Sequence, residues 1–187
     1  MVKESVLLDI SADSSHPNGL AKVTAEFQMR NLGDVPEIMD VRFPLNWDMA
    51  QYRLNLSDED CYTGFPAIDD FSVTVNGLQE DITMTGRTEP TNDQGTPEPA
   101  LLPCWAYFIV TFLPKQDVTI TVSYTVKGYL DNGISQVAFY YVLTTRAGWK
   151  DTIGTSDITV RFPYPINDMN FLGGTEGWLS AGGREVK

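Results

Sequence analysis

The sequence is poor in the residues on which most enzyme chemistry depends. It has one histidine, His16, and two cysteines, Cys61 and Cys104. Nucleophilic catalysis usually needs a base such as histidine beside the nucleophile, and His16 lies in a stretch with the composition of a turn, Asp-Ser-Ser-His-Pro-Asn-Gly. Three such residues without a Cys-x-x-Cys pair are also too few for an ordinary zinc site. The sequence therefore predicts a protein that is not an enzyme and has no bound cofactor, unless calcium binds.

Positive charge and long apolar runs are scarce as well. Thirteen Lys and Arg stand against 25 Asp and Glu, a formal net charge of −12, and they form no basic stripe. Nucleic acid and anionic membrane surfaces are therefore poor partners. No apolar run approaches the length of a membrane span, which predicts no membrane insertion by this segment. No signal peptide is visible, so the protein is either cytoplasmic or a mature extracellular or cell-envelope domain that has lost its signal peptide.

Helical periodicity is absent, and a period of two residues takes its place. Apolar residues alternate with polar ones in segments 23–29, 71–75, 118–126 and 158–162, which is typical of strands with one buried face. A chain of this length commonly forms one such domain. The pattern predicts an all-β fold: an antiparallel β-sandwich, immunoglobulin-like or jelly-roll-like, of about eight or nine strands over residues 1–187.

Turn residues between the strands predict how they connect. Asn76-Gly77 favours a hairpin between 71–75 and 79–85, and Asp131-Asn132-Gly133 favours one between 117–129 and 134–143. With Pro114 between two further strands, the order reads as an antiparallel meander. The run 137–143 is apolar on both faces, which predicts a central strand. Residues 87–103 carry four prolines and no period, which predicts a long loop.

The two cysteines are predicted to form a disulfide. The hairpin at Asn76-Gly77 returns the chain to the end where it started, which brings the segments of Cys61 and Cys104 together. Closing that loop would stabilise the fold by about 4 kcal/mol in the chain-entropy model. The alternative is two reduced thiols, as in a cytoplasmic protein.

Two regions are candidate binding sites. Calcium takes oxygen ligands from acidic loops, and residues 57–70 concentrate carboxylates without the pattern of an EF-hand; a solvated acidic loop is the alternative. The loop 144–151 places an aromatic between two cations in an otherwise acidic protein, although its tryptophan would equally suit a structural cap on the sandwich. The candidate calcium ligands are Asp58, Asp60, Asp69 and Asp70, and the candidate binding residues are Arg146, Trp149 and Lys150.

Two stretches resemble uncharacterised bacterial secreted or cell-surface domains over roughly residues 20 to 187. They are Trp105-Ala106-x-Phe108-x-Val110-Thr111-Phe112-x-Pro114, and Tyr141-x-x-Thr144-x-x-Ala147-Gly148-Trp149-Lys150-Asp151-x-Ile153-Gly154 followed by Asp157-Ile158-x-Val160-x-Phe162-Pro163. The resemblance implies a secreted β-sandwich, often within a longer envelope protein, and no known activity. Cys61 and Cys104 are not part of its pattern.

Three functions remain to be compared. The first is a non-catalytic extracellular or cell-surface interaction or scaffold module with a protein or glycan partner. The second is a carbohydrate- or calcium-binding module. The third, a hydrolase, would have to work with carboxylates alone. Because the stretch 182–187 reads as a turn into a strand that stops early, the domain is expected to come from a longer protein.

Overall fold

The computed structural model describes residues 2–45, 68–84, 105–131, 136–139, 141, 154–166 and 180–187. This part of the chain is all-β, with strands and no helix, which confirms the predicted class. Its strands are β1 (Lys3–Asp13), β2 (His16–Arg30), β3 (Glu37–Pro44), β4 (Ile68–Val75), β5 (Leu78–Gln79), β6 (Thr83–Met84), β7 (Trp105–Phe112), β8 (Asp117–Lys127), β9 (Tyr129–Asp131), β10 (Gln136–Ala138), β11 (Thr155–Arg161), β12 (Ser180–Gly182) and β13 (Glu185–Val186).

The larger sheet has the order β12-β13-β11-β1-β2-β8-β4-β5 in the described residues. Its centre is regular: β2 and β8 pair antiparallel from Leu20 with Lys127 to Arg30 with Asp117. One pair of adjacent strands differs from the predicted antiparallel sheet, because β1 and β11 run parallel. Residues alternate between faces in both kinds of pair, so the alternation alone could not distinguish them.

A smaller sheet has the order β3-β7-β6 among the described strands. Here the predicted meander is wrong, since β7 pairs with β3 and β6 while β8 pairs with β2 and β4. The chain around Pro114 therefore passes from one sheet to the other. A short turn between two alternating segments does not specify that the segments pair with each other.

The two sheets share one hydrophobic core. Val23 and Val122 of the larger sheet and Phe43 and Phe108 of the smaller one belong to the same buried cluster. The Phe43 ring lies 5.5 Å from that of Tyr124 between centroids. Side chains of both sheets therefore pack against each other, while the charged residues of β2 and β8 are exposed to solvent.

The hairpin predictions have different outcomes. Asn76 and Gly77 have φ angles of 50° and 81° and connect β4 to β5, which confirms the predicted turn. The predicted second strand, 79–85, is wrong in its extent, because β5 ends at Gln79 and β6 pairs with β7 in the smaller sheet. The pair β9 and β10 confirms the second hairpin in part, while its turn, 132–135, and the predicted loop 87–103 lie outside the described residues. The prediction of a central strand at 137–143 is wrong for its start: Val137 is 45% exposed, and β10 pairs with β9 in a separate two-stranded sheet. The side chain of Val137 packs against Gly128 instead of entering the core.

Candidate functional site

Most of the residues predicted from the sequence to form sites lie outside the described part of the chain. This holds for the candidate binding residues of loop 144–151, for the first two candidate calcium ligands and for both cysteines. They are Arg146, Trp149, Lys150, Asp58, Asp60, Cys61 and Cys104. The binding loop and the disulfide therefore stay predictions.

The other two candidate calcium ligands lie at an irregularity of β4, between Asp69 and Ser72. The Asp69 carboxylate is 2.9 Å from the ammonium of Lys127. Asp70 has a φ of 55°, and its carboxylate accepts a hydrogen bond from the Thr125 hydroxyl at 3.3 Å. Both carboxylates thus have partners that join β4 to β8. No three metal-binding side chains cluster within the described ranges.

A buried carboxyl group at one end of the larger sheet was not expected from the sequence. Glu4 of β1 is 1% exposed. Its Oε1 accepts a hydrogen bond from the Tyr141 hydroxyl at 2.9 Å, and its Oε2 accepts one from the Ser156 hydroxyl at 3.0 Å. Glu4, Val6 and Leu8 occupy every second position of β1, so their side chains lie on the same face of the strand. A charged residue in an apolar row was the signal that could have identified this cluster.

The cluster is suited to holding strands together rather than to chemistry on a substrate. Burial raises the pKa of Tyr141, and the nearby Glu4 and Tyr124 raise it further. Tyr141 is consequently a hydroxyl donor at neutral pH. Because Glu4 is inaccessible to solvent, its carboxylate cannot meet a substrate in this conformation.

A group of exposed aliphatic side chains lies where β2 leads to β3 and β7 leads to β8, with Ile38 at the start of β3 itself. Leu32 is 68% exposed, Val35 65%, Ile38 74% and Leu113 44%. We call these four residues the apolar tip. Single exposed aliphatic residues are common, but several on two adjacent connections and at the start of β3 form a patch of the kind that often marks an interaction site.

A buried asparagine holds the two connections of the apolar tip together. Asn31 is 5% exposed, and its side-chain amide donates to the carbonyls of Val35 at 2.8 Å and Phe112 at 3.0 Å. Its side-chain oxygen accepts from the amide of Gly33 at 2.7 Å. The backbone of Asn31 also bonds Lys115 and Gln116 on the other connection. The tip is therefore displayed by an organised framework.

Lys115 completes this framework. Its φ of 55° is unusual for a residue with a side chain. Its ammonium donates to the carbonyl of Leu32 and lies 3.1 Å from the carboxylate of Asp34. The positive charge that Lys115 brings to the tip is thus paired with a carboxylate of the neighbouring connection.

Comparisons with known proteins give a family and a fold. The model of the family described as "Predicted membrane protein (DUF2207) N-terminal domain" matches residues 10–186. A crystal structure from Legionella pneumophila subsp. pneumophila str. Philadelphia 1, described as a "putative nutrient binding protein", shares 20% sequence identity with a TM-score of 0.68. That alignment covers 100% of this chain and 60% of the solved chain. No curated protein matches the sequence. At this sequence identity, the similarity to the solved structure shows a shared fold. Within the described residues, no helix is long and apolar enough to cross a membrane.

Proposed function

Because the chain belongs to the family of DUF2207 N-terminal domains, we propose that it is a non-catalytic interaction module displayed at a cell surface. The observation that carries this proposal is the apolar tip, which Asn31 and Lys115 hold in place while its side chains face solvent. The family description refers to a membrane protein, and the resemblance to bacterial surface domains supports the same location. As its scaffold we propose the immunoglobulin-like or jelly-roll-like sandwich expected from the sequence, which the packing of the two sheets supports.

The buried position of Glu4 supports a non-catalytic role. A catalytic carboxyl must reach its substrate, whereas both oxygens of Glu4 bind hydroxyl groups inside the protein. Asp69 and Asp70 are likewise engaged in joining strands. These carboxyl groups thus have structural partners that account for their positions.

The test uses the full-length protein in intact cells. A photo-crosslinking residue is placed at Val35 in the apolar tip, and a matched one at Leu130, which is 38% exposed outside it. We expect external protease to remove the domain from intact cells, and we expect crosslinks from position 35 but not from position 130. Protection from protease in intact cells would refute the surface location, and equal crosslinking from both positions would refute the tip as the contact.

A carbohydrate- or calcium-binding module is the second candidate. The fold shared with a protein described as nutrient-binding supports it, as do the predicted ligands Arg146, Trp149 and Lys150. A glycan array with and without calcium tests this candidate. Trp149→Ala should abolish glycan binding at an unchanged melting temperature if Trp149 contacts the sugar. A fall of many degrees would instead identify a structural cap.

A further inference from the structure

We propose that the apolar tip of Leu32, Val35, Ile38 and Leu113 seats in the interfacial layer of a lipid bilayer with uncharged or zwitterionic headgroups. The inference deepens the proposed function, on which it rests, by naming what a cell-surface module contacts. The contact is shallow and reaches no deeper than the two connections that carry the tip, so it requires no membrane-spanning segment.

Backbone carbonyls at the tip have hydrogen-bond partners inside the protein. A group that enters an apolar layer must have its hydrogen bond inside the protein, because lipid offers no replacement for water. The carbonyl of Leu32 accepts from the Lys115 ammonium, that of Val35 from the Asn31 amide, and that of Leu113 from the backbone of Gln116. Each of these three exposed aliphatic residues thus has a carbonyl that need not be hydrated.

Charged side chains of both signs lie beside the tip. Lys115 is paired with Asp34, and Glu37 at the start of β3 is exposed. This region therefore has no excess of positive charge, and the whole chain carries a formal net charge of −12. Anionic headgroups would repel such a protein, whereas contact with a zwitterionic surface depends on apolar burial and is insensitive to salt.

The small size of the tip favours a bilayer over a second copy of the chain. Four partly exposed aliphatic side chains present on the order of a few hundred Å² of apolar surface. A stable complex with a second copy of the chain would bury about 800 Å² on each partner. The tip alone is too small for that, but a few aliphatic side chains suffice for weak, reversible attachment to a bilayer.

The experiment is vesicle flotation of the 187-residue chain with millimolar phosphatidylcholine. The test variant combines Leu32→Ser, Val35→Ser and Leu113→Ser. The matched control combines Met84→Ser and Leu130→Ser, which are exposed apolar residues outside the tip. Melting temperatures of both variants should equal that of the wild type, since all five side chains face solvent. We expect the wild type and the control to float equally in low and in molar salt, and the test variant to bind about tenfold more weakly.

Three flotation results would overturn the inference. In the first, the wild type does not float with phosphatidylcholine vesicles. In the second, it floats only with phosphatidylglycerol vesicles and only at low salt. In the third, the test variant floats as well as the wild type does. Self-association of the wild type that the test variant loses would assign the tip to a second copy and would overturn it as well. Each of these results leaves the protease and crosslinking test of the proposed function unaffected, so the two can fail separately.

Discussion

The hydroxyl of Tyr141 lies 2.9 Å from Oε1 of Glu4, joining residues 137 positions apart in the sequence. Glu4 begins the apolar row of β1, and Tyr141 packs against the same core. A buried carboxylate without donors is strongly destabilising. This bond therefore ties the chain after β10 to the first strand.

Removing that hydroxyl should destabilise the fold. Tyr141→Phe leaves one oxygen of Glu4 without its donor, and we expect the free energy of unfolding to fall by about 2 kcal/mol. Chemical denaturation measures the change. The control is Tyr164→Phe, at a tyrosine that is 48% exposed, which should change stability little. An equal effect of both substitutions would contradict the role of Glu4.

Stability should decrease in alkaline solution. Burial raises the pKa of Tyr124 and of Tyr141 above the ordinary value of 10. The folded state therefore holds these protons more tightly than the unfolded state does. Their contribution is complete below pH 10 and is lost as the pH rises further, by up to about 1.4 kcal/mol per pH unit for each tyrosine. Denaturation curves recorded at several pH values measure this loss. The free energy of unfolding of Tyr141→Phe should fall less steeply with pH than that of the wild type. A wild-type free energy of unfolding that is constant above pH 10 would disprove the effect.

Asn31→Ala should loosen the apolar tip. The substitution removes the donors to the carbonyls of Val35 and Phe112 and the acceptor of the Gly33 amide. We expect a loss of about 2 to 3 kcal/mol and faster hydrogen exchange of the Gly33 amide. Leu32→Ala, at an exposed neighbour, is the control and should change stability by less than about 0.5 kcal/mol. Unchanged exchange at Gly33 would show that Asn31 does not organise the loop.

Two glycines should differ in their tolerance of alanine. An added Cβ at Gly128 would overlap the carbonyl oxygen of Asn18, so the backbone must move. At Gly77 the Cβ would meet nothing within 4 Å, and only the φ of 81° opposes alanine. We expect Gly77→Ala to destabilise by about 1 kcal/mol and Gly128→Ala by more. Thermal melting compares them, and the reverse order would disprove this account of Gly128.

The disulfide between Cys61 and Cys104 remains to be tested in solution. Thiol titration of the denatured, unreduced protein should find no free thiol. Reduction should then lower stability by about 4 kcal/mol if the chain-entropy model holds. Two free thiols in the unreduced protein would refute the bridge.

The limits of the sequence as a predictor are visible at particular residues. Alternation identified β2 and β8, because a strand with one wet face repeats every two residues. It did not identify the parallel contact of β1 with β11, since the partners are separated along the chain and alternate in the same way. It also misplaced Val137, whose apolar neighbours suggested a central strand although Val137 covers Gly128 at the surface.

The sequence by itself determined the strand class, the scarcity of catalytic residues and the turn at Asn76-Gly77, where two successive positive φ angles suit asparagine and glycine. These are local properties of composition and backbone preference. Only the tertiary structure decided that Glu4, Tyr141 and Ser156 meet and that Asn31 joins two connections beneath the apolar tip. Both depend on which strands pair and how the sheets pack. Those arrangements are set by burial of the whole core rather than by any neighbouring residues in the chain.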